Sequence, residues 1–201
     1  MFKKITIKKT HFPKKAGGFS LIELLVSVTI FVFLTSFLLA KYGTFNQGVL
    51  LTNLAYDVAL TIRNAQSYGL NVKSVPTATI TYSNTFTFPY GVHFDTTTGS
   101  NNKIIFFTDS NANKIYDGTS EDISTYTFKI NSTITSICVG AGACDNTIPV
   151  TMMDVTFLRP DPDAIISVNG VTYTYVEITL TSSSGDTKKV TVRSNGQITI
   201  L

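Results

Sequence analysis

The sequence predicts an α+β chain: a long N-terminal helix, transmembrane in its first half and amphipathic in its second, packed on an antiparallel β-sheet domain. Three observations carry this. Phe19 to Ala40 form a 22-residue apolar run with one ionisable side chain, Glu23. Apolar residues then recur at three- and four-residue steps as far as Ile62, the period of a helix with one buried face. From Val75 onward the period falls to two, in short runs rich in Thr, Val, Ile, Tyr and Phe separated by turn residues, which is the pattern of strands.

Charge separates a leader from the rest. Residues 1 to 18 hold Lys3, Lys4, Lys8, Lys9, Lys14 and Lys15 and no acid. Without them the chain has 10 basic and 13 acidic residues, so its basic balance belongs to the leader and gives no support to general nucleic-acid binding. A cleaved secretory signal fits poorly. The apolar run is too long, and its small residues, Gly17 and Gly18, precede it instead of following it. At ~1.5 Å per residue, 22 residues span about 33 Å as a helix, enough for a bilayer core. The basic segment then stays in the cytoplasm and the chain from Lys41 onward lies outside it. An acid within such a span costs on the order of 3 kcal/mol at the centre, and less near an interface. Either Glu23 snorkels or is protonated, or a cation on a neighbouring subunit neutralises it. A cut between Gly18 and Phe19 would supply that cation as a new α-amino group, and the pair would also fix the axial register between subunits.

The stretch "KKAGGFSLIELLVSVTIF" (residues 14–31) closely resembles the prepilin signal of type IV pilins and of the pseudopilins of type II secretion. The resemblance implies cleavage after Gly18 by a prepilin peptidase, N-methylation of Phe19, and an assembly role for Glu23. It implies residues 1–18 as a removed leader, 19–40 as the membrane and assembly helix, 41–70 as its amphipathic continuation and 71–201 as the extracytoplasmic β domain. The implied partners are other pilin or pseudopilin subunits, the peptidase, the inner-membrane assembly platform and, before assembly, lipid. The filament would stand at the cell surface or in the periplasm.

In the second half of the helix, Val49, Leu50, Leu54, Val58 and Ile62 are expected to face the domain and Asn53, Asp57, Thr61 and Asn64 to oppose them. Gly43 and Gly48 predict a bend or soft point. Gly69 predicts the C-terminal stop, for a helix over about 19–68. Strands are expected in "TATITY", "TFTF", "YGVHF", "KIIFFTD", "STYTFKI", "MMDVTFL", "TYTYVEITLT", "KKVTVRS" and "QITIL". "SSSGD" and "SNG" read as hairpin turns, and "RPDPD" as a loop or a crossing between sheets. Val176, Ile178 and Leu180 are the core side of their strand. "YGVHFD", "IIFFTDSNANKIYDG" and "VEITLTSSSGDTKKVTVRSNGQITI" (residues 176–200) resemble minor pseudopilins of the GspH/FimT type. In one branch of that type a basic C-terminal hairpin binds DNA. The matching positions here are Lys188, Lys189 and Arg193, with Gln197 where a further basic group is expected, so any such binding would be weak and salt-sensitive.

Cys138 and Cys144 in "CVGAGAC" read as a small-loop disulfide in an exported chain, since no His or Cys cluster surrounds them for a metal. "DSNANKIYDGTSED" places Asp109, Asn111, Asn113 and Asp117 at the first, third, fifth and ninth positions of a calcium loop, with the Ile115 carbonyl at the seventh. Lys114 stands where glycine is expected, and Glu121 falls one place late. An Asx-rich turn explains the same residues, and no other cofactor is expected. No nucleophile motif, P-loop or dinucleotide fingerprint occurs, and His93 reads as structural, so the chain is not expected to be an enzyme.

Overall fold

The computed structural model describes residues 17–71, 88–129 and 131–201. The leader up to residue 16, the predicted strand "TATITY" and most of "TFTF" lie outside the described residues. Among the described residues, one helix, α1 (Leu21–Leu70), precedes ten strands. The chain divides into two compact units, 1–42 and 43–201, with the boundary inside α1.

The strands are β1 (Tyr90–Asp95), β2 (Lys103–Thr108), β3 (Asp122–Thr127), β4 (Thr133–Gly140), β5 (Met152–Phe157), β6 (Ala164–Val168), β7 (Val171–Tyr173), β8 (Tyr175–Thr181), β9 (Thr187–Arg193) and β10 (Ile198–Ile200). They form a six-stranded sheet in the order β3-β2-β1-β5-β6-β7 and a four-stranded sheet in the order β10-β9-β8-β4. Every pairing is antiparallel. Alternation decides the faces. Val92, Phe94, Ile104, Met153, Val155, Phe157 and Ile166 of the larger sheet, and Val176, Ile178, Leu180, Val190 and Val192 of the smaller, join one buried core with the second half of α1. Val176, Ile178 and Leu180 thus take the core side expected of them.

Leu54, Val58 and Ile62 take the inward face of α1 expected of them, but the rest of that face differs from expectation. Its buried residues are Leu51, Leu54, Ala55, Val58, Ala59, Ile62 and Ala65, while Val49 is exposed and Leu50 only half-buried. Three alanines line this face, and a small side chain lets a helix lie close to a sheet at little cost in rotamer entropy. Among the residues placed on the polar face, Asn53 and Asn64 are exposed, whereas Asp57 is half-buried. Its Oδ2 accepts the Tyr126 hydroxyl at 2.6 Å and so ties the edge strand β3 to the helix. Burial, then this bond, pushes the Tyr126 hydroxyl up to about 12.

The helix runs unbroken through Gly43, Gly48 and Gly69. Gly69 is therefore not the stop. The helix ends at Leu70, where Asn71 closes it by donating its backbone N–H and side-chain amide to the Ser67 carbonyl. The ten-residue run "TYTYVEITLT" is not one strand. It changes sheets at Thr174, whose N–H donates to Gly140 and whose carbonyl accepts from Ser194. The 159–163 segment makes no crossing, since it joins β5 to β6, neighbours in one sheet. The expected hairpins at 182–186 and 194–196 join β8 to β9 and β9 to β10, with positive φ at Gly185 and Gly196.

Candidate functional site

The N-terminal segment is built from very few contacts. Gly17, Gly18, Phe19 and Ser20 are exposed and precede the first helical residue. Nothing lies within 4 Å of the position a side chain would take on Gly17 or Gly18. The scissile bond expected between Gly18 and Phe19 is thus open to a protease. The helix begins as the N–H groups of Glu23 and Leu24 donate to the Ser20 carbonyl, at 3.0 and 3.1 Å. Glu23 sits in the first turn, where the unpaired N–H groups and the helix dipole favour a carboxylate.

From Leu21 to Ala40 the helix is long and apolar enough to cross a membrane, and none of it is buried among the described residues. Three of its hydroxyls are satisfied internally. Ser27, Thr29 and Thr35 donate to the carbonyls of Leu24, Leu25 and Phe31, as the absence of water in a bilayer demands. Glu23 is the one ionisable side chain of the span. Among the described residues its carboxylate has neither a hydrogen bond nor an ion pair. A charge that lipid disfavours is thus left beside the bond whose cleavage would create a cation.

The structure joins Cys138 and Cys144 in a disulfide, with Cα atoms 5.4 Å apart. It pins the 141–143 loop against the end of β4, and Gly140 accommodates the Ala143 carbonyl at a distance no side chain would permit.

The 109–121 loop gathers the residues of the calcium reading, with most of their side-chain oxygens accepting protein donors. Asp109 is fully buried and accepts the N–H groups of Asn113 and Lys114 at 3.0 and 2.7 Å. Burial raises its carboxyl above the usual range, against the pull of those N–H groups. Glu121, 1% exposed, accepts from the N–H and hydroxyl of Ser110 and from the N–H of Asp117. Asp117 Oδ2 receives the side-chain amides of Asn111 and Asn113. The amide oxygens of those two asparagines accept the N–H groups of Asn113 and Ile115. These bonds favour the Asx-turn reading, because the side-chain amides that Asn111 and Asn113 donate to Asp117 would have to turn away to admit a cation. We expect millimolar calcium to give no heat in calorimetry of the full-length protein. A saturable heat that is lost in Asp117→Asn would establish the calcium alternative instead.

Two of the three cations considered for DNA contact are engaged. Lys189 Nζ lies 2.9 Å from Glu177. The Arg193 guanidinium stands 5.2 Å from the centre of the Tyr175 ring and reaches the Gly142 carbonyl at 3.4 Å. Lys188 is half-buried. A duplex would therefore find few uncommitted charges here.

A buried pair also went unseen in the sequence. His93 Nδ1 lies 2.7 Å from Asp154 Oδ1, across β1 and β5. The two residues are 61 positions apart, and only the strand register brings them together.

Residues 13–39 match the family model described as the prokaryotic N-terminal methylation motif. This stretch contains Gly18, Phe19 and Glu23. The match supports the pilin and pseudopilin class, and with it a type IV pilin-like protein processed at a prepilin signal. It points to a structural family rather than to enzymes, and together with the one apolar helix it fits a single-pass membrane anchor. No curated protein and no solved structure matches the chain.

Proposed function

We propose that the chain is a minor subunit of a helical filament of the type IV pilin kind. A prepilin peptidase removes residues 1–18, the amine of Phe19 is methylated, and the helix waits in the membrane with its N-terminus on the cytoplasmic side. On assembly, the Phe19 amine of one copy neutralises Glu23 of a neighbour, of this chain or of another pilin, while the β domain faces outward. The observation that carries this reading is the exposed Glu23, without a partner among the described residues, at the start of an otherwise apolar span. A type II secretion pseudopilin of the GspH kind would use the same pairing. Loss of protein export, as against loss of surface filaments, on deleting the gene separates the two. A DNA-uptake subunit of the FimT kind gains little support from a hairpin whose Lys189 and Arg193 are already engaged.

Mass spectrometry of the mature protein tests the first step. The expected N-terminus is methylated Phe19. A mature chain that begins at Met1 would remove the amine and, with it, the mechanism of assembly.

A further inference from the structure

Away from the core, the outer face of the larger sheet carries a cavity of about 390 Å³, lined by His93, Asp95, Lys103, Ile105, Tyr116 and Met152 among others. This volume lies at the small end of ligand sites.

Several polar atoms of this cavity are left without a partner among the described residues. The buried Asp154 carboxylate holds His93 through Nδ1. In the neutral imidazole the Nδ1 proton points to the carboxylate, so Nε2 is left as an acceptor. Among the described residues nothing hydrogen-bonds to Nε2. The Tyr116 ring lies against the imidazole, with centroids 4.7 Å apart, and its hydroxyl is occupied by Asp122 at 2.6 Å, so Tyr116 offers the cavity a ring and little polarity. Asp95 and Lys103 stand on the neighbouring strands β1 and β2. They have opposite charges, yet no ion pair joins them among the described residues. Asp95 Oδ1 accepts the N–H and hydroxyl of Thr97, while its Oδ2 and the Lys103 ammonium have no partner among those residues. Ile105 and Met152 supply an apolar floor.

We propose that this cavity binds a free α-amino acid with an apolar side chain. The carboxylate meets Lys103, the ammonium is shared by Asp95 and His93 Nε2, and the side chain rests on Ile105, Met152 and the Tyr116 ring. A ligand with only one of the two charges would leave either Lys103 or Asp95 desolvated without a partner, which is how a site rejects near analogues.

The test uses the full-length protein in detergent micelles and three probes: L-leucine, 4-methylpentanoate, which lacks the ammonium, and 3-methylbutylamine, which lacks the carboxylate. Methyl NMR signals of Ile105 and Met152 report occupancy. Leucine is expected to shift both with a Kd on the order of 1 mM, as suits a small ligand held by a few polar contacts. Each analogue should bind at least about tenfold more weakly, the loss of one charge-assisted contact. Lys103→Gln should weaken leucine and the acid but leave the amine unchanged. Asp95→Asn, which keeps the acceptor for Thr97, should weaken leucine and the amine. Absence of any shift with leucine at about 20 mM, about twenty times that Kd, overturns the proposal. So does equal binding of all three probes, or leucine binding that is unaffected by Lys103→Gln. That substitution changes a partly exposed side chain, so the variant fold is preserved even where Asp95→Asn proves unstable.

Discussion

Glu23→Ala is expected to leave membrane insertion intact and to reduce incorporation into filaments at least about tenfold, a coupling of roughly 1.4 kcal/mol or more. The two effects have opposite physical origins. In the membrane, Glu23 costs free energy because nothing among the described residues partners it. Removing it relieves up to about 3 kcal/mol by insertion scales, and less for a residue in the first turn near the interface. In the filament the same deletion leaves the neighbouring Phe19 amine buried in an apolar setting without a counter-charge. Breaking one side of such a pair typically costs about 3–5 kcal/mol. Quantifying membrane-bound and sheared-filament protein by immunoblot checks both. Glu23→Gln should behave like Glu23→Ala if charge is what matters, since the amide keeps the shape and loses the anion. Normal incorporation of either variant would refute the pairing and leave Glu23 as a snorkelling residue.

How much of this was legible beforehand differs from element to element, for physical reasons. The segment from Gly18 to Ala40 could be read because its signal is local: an apolar run interrupted once, beside two glycines. The inward face of β8 could be read because a strand has a period of two, and Val176, Ile178 and Leu180 obey it. The inward face of α1 was read in part. Leu54, Val58 and Ile62 are buried as their spacing implies, but Val49 is exposed, and the buried Ala55, Ala59 and Ala65 were not picked out because small side chains give a weak apolar signal. The split of residues 171–181 between two sheets could not be seen. Thr174 differs from its neighbours only in bonding to Gly140 and Ser194, which are distant in sequence. Strands β4 and β6 were missed, the first because its "CVG" end was read as a disulfide loop. The His93–Asp154 pair left no local mark, and its detection requires the β1–β5 register. The Asp-rich loop was found by spacing, but spacing does not tell whether its oxygens are spent on N–H groups or held for a cation.

Gly69 gives the sharpest contrast between helix propensity and packing. By propensity alone, Gly69→Ala should stabilise a helix by up to about 1 kcal/mol. The structure reverses the sign. A Cβ at Gly69 would stand 2.6 Å from the Phe157 carbonyl oxygen and 2.9 Å from its Cβ, well inside the ~3.5–4.0 Å at which such atoms pack favourably. Phe157 cannot yield cheaply. It is fully buried, and β5 is held on both sides by β1 and β6. Relief requires the end of α1 to lift from the sheet, and overpacking of this kind costs about 1–3 kcal/mol. Gly69→Ala should therefore lower the thermal midpoint by roughly 2–4 °C for each kcal/mol lost in a domain of this size. Gly48→Ala is the matched control. It lies in the same helix with nothing within 4 Å of the added methyl, so propensity acts alone and the midpoint should rise. A rise in both variants would mean that α1 and β5 are further apart than the close approach at Gly69 implies, and that this glycine marks a helix end after all.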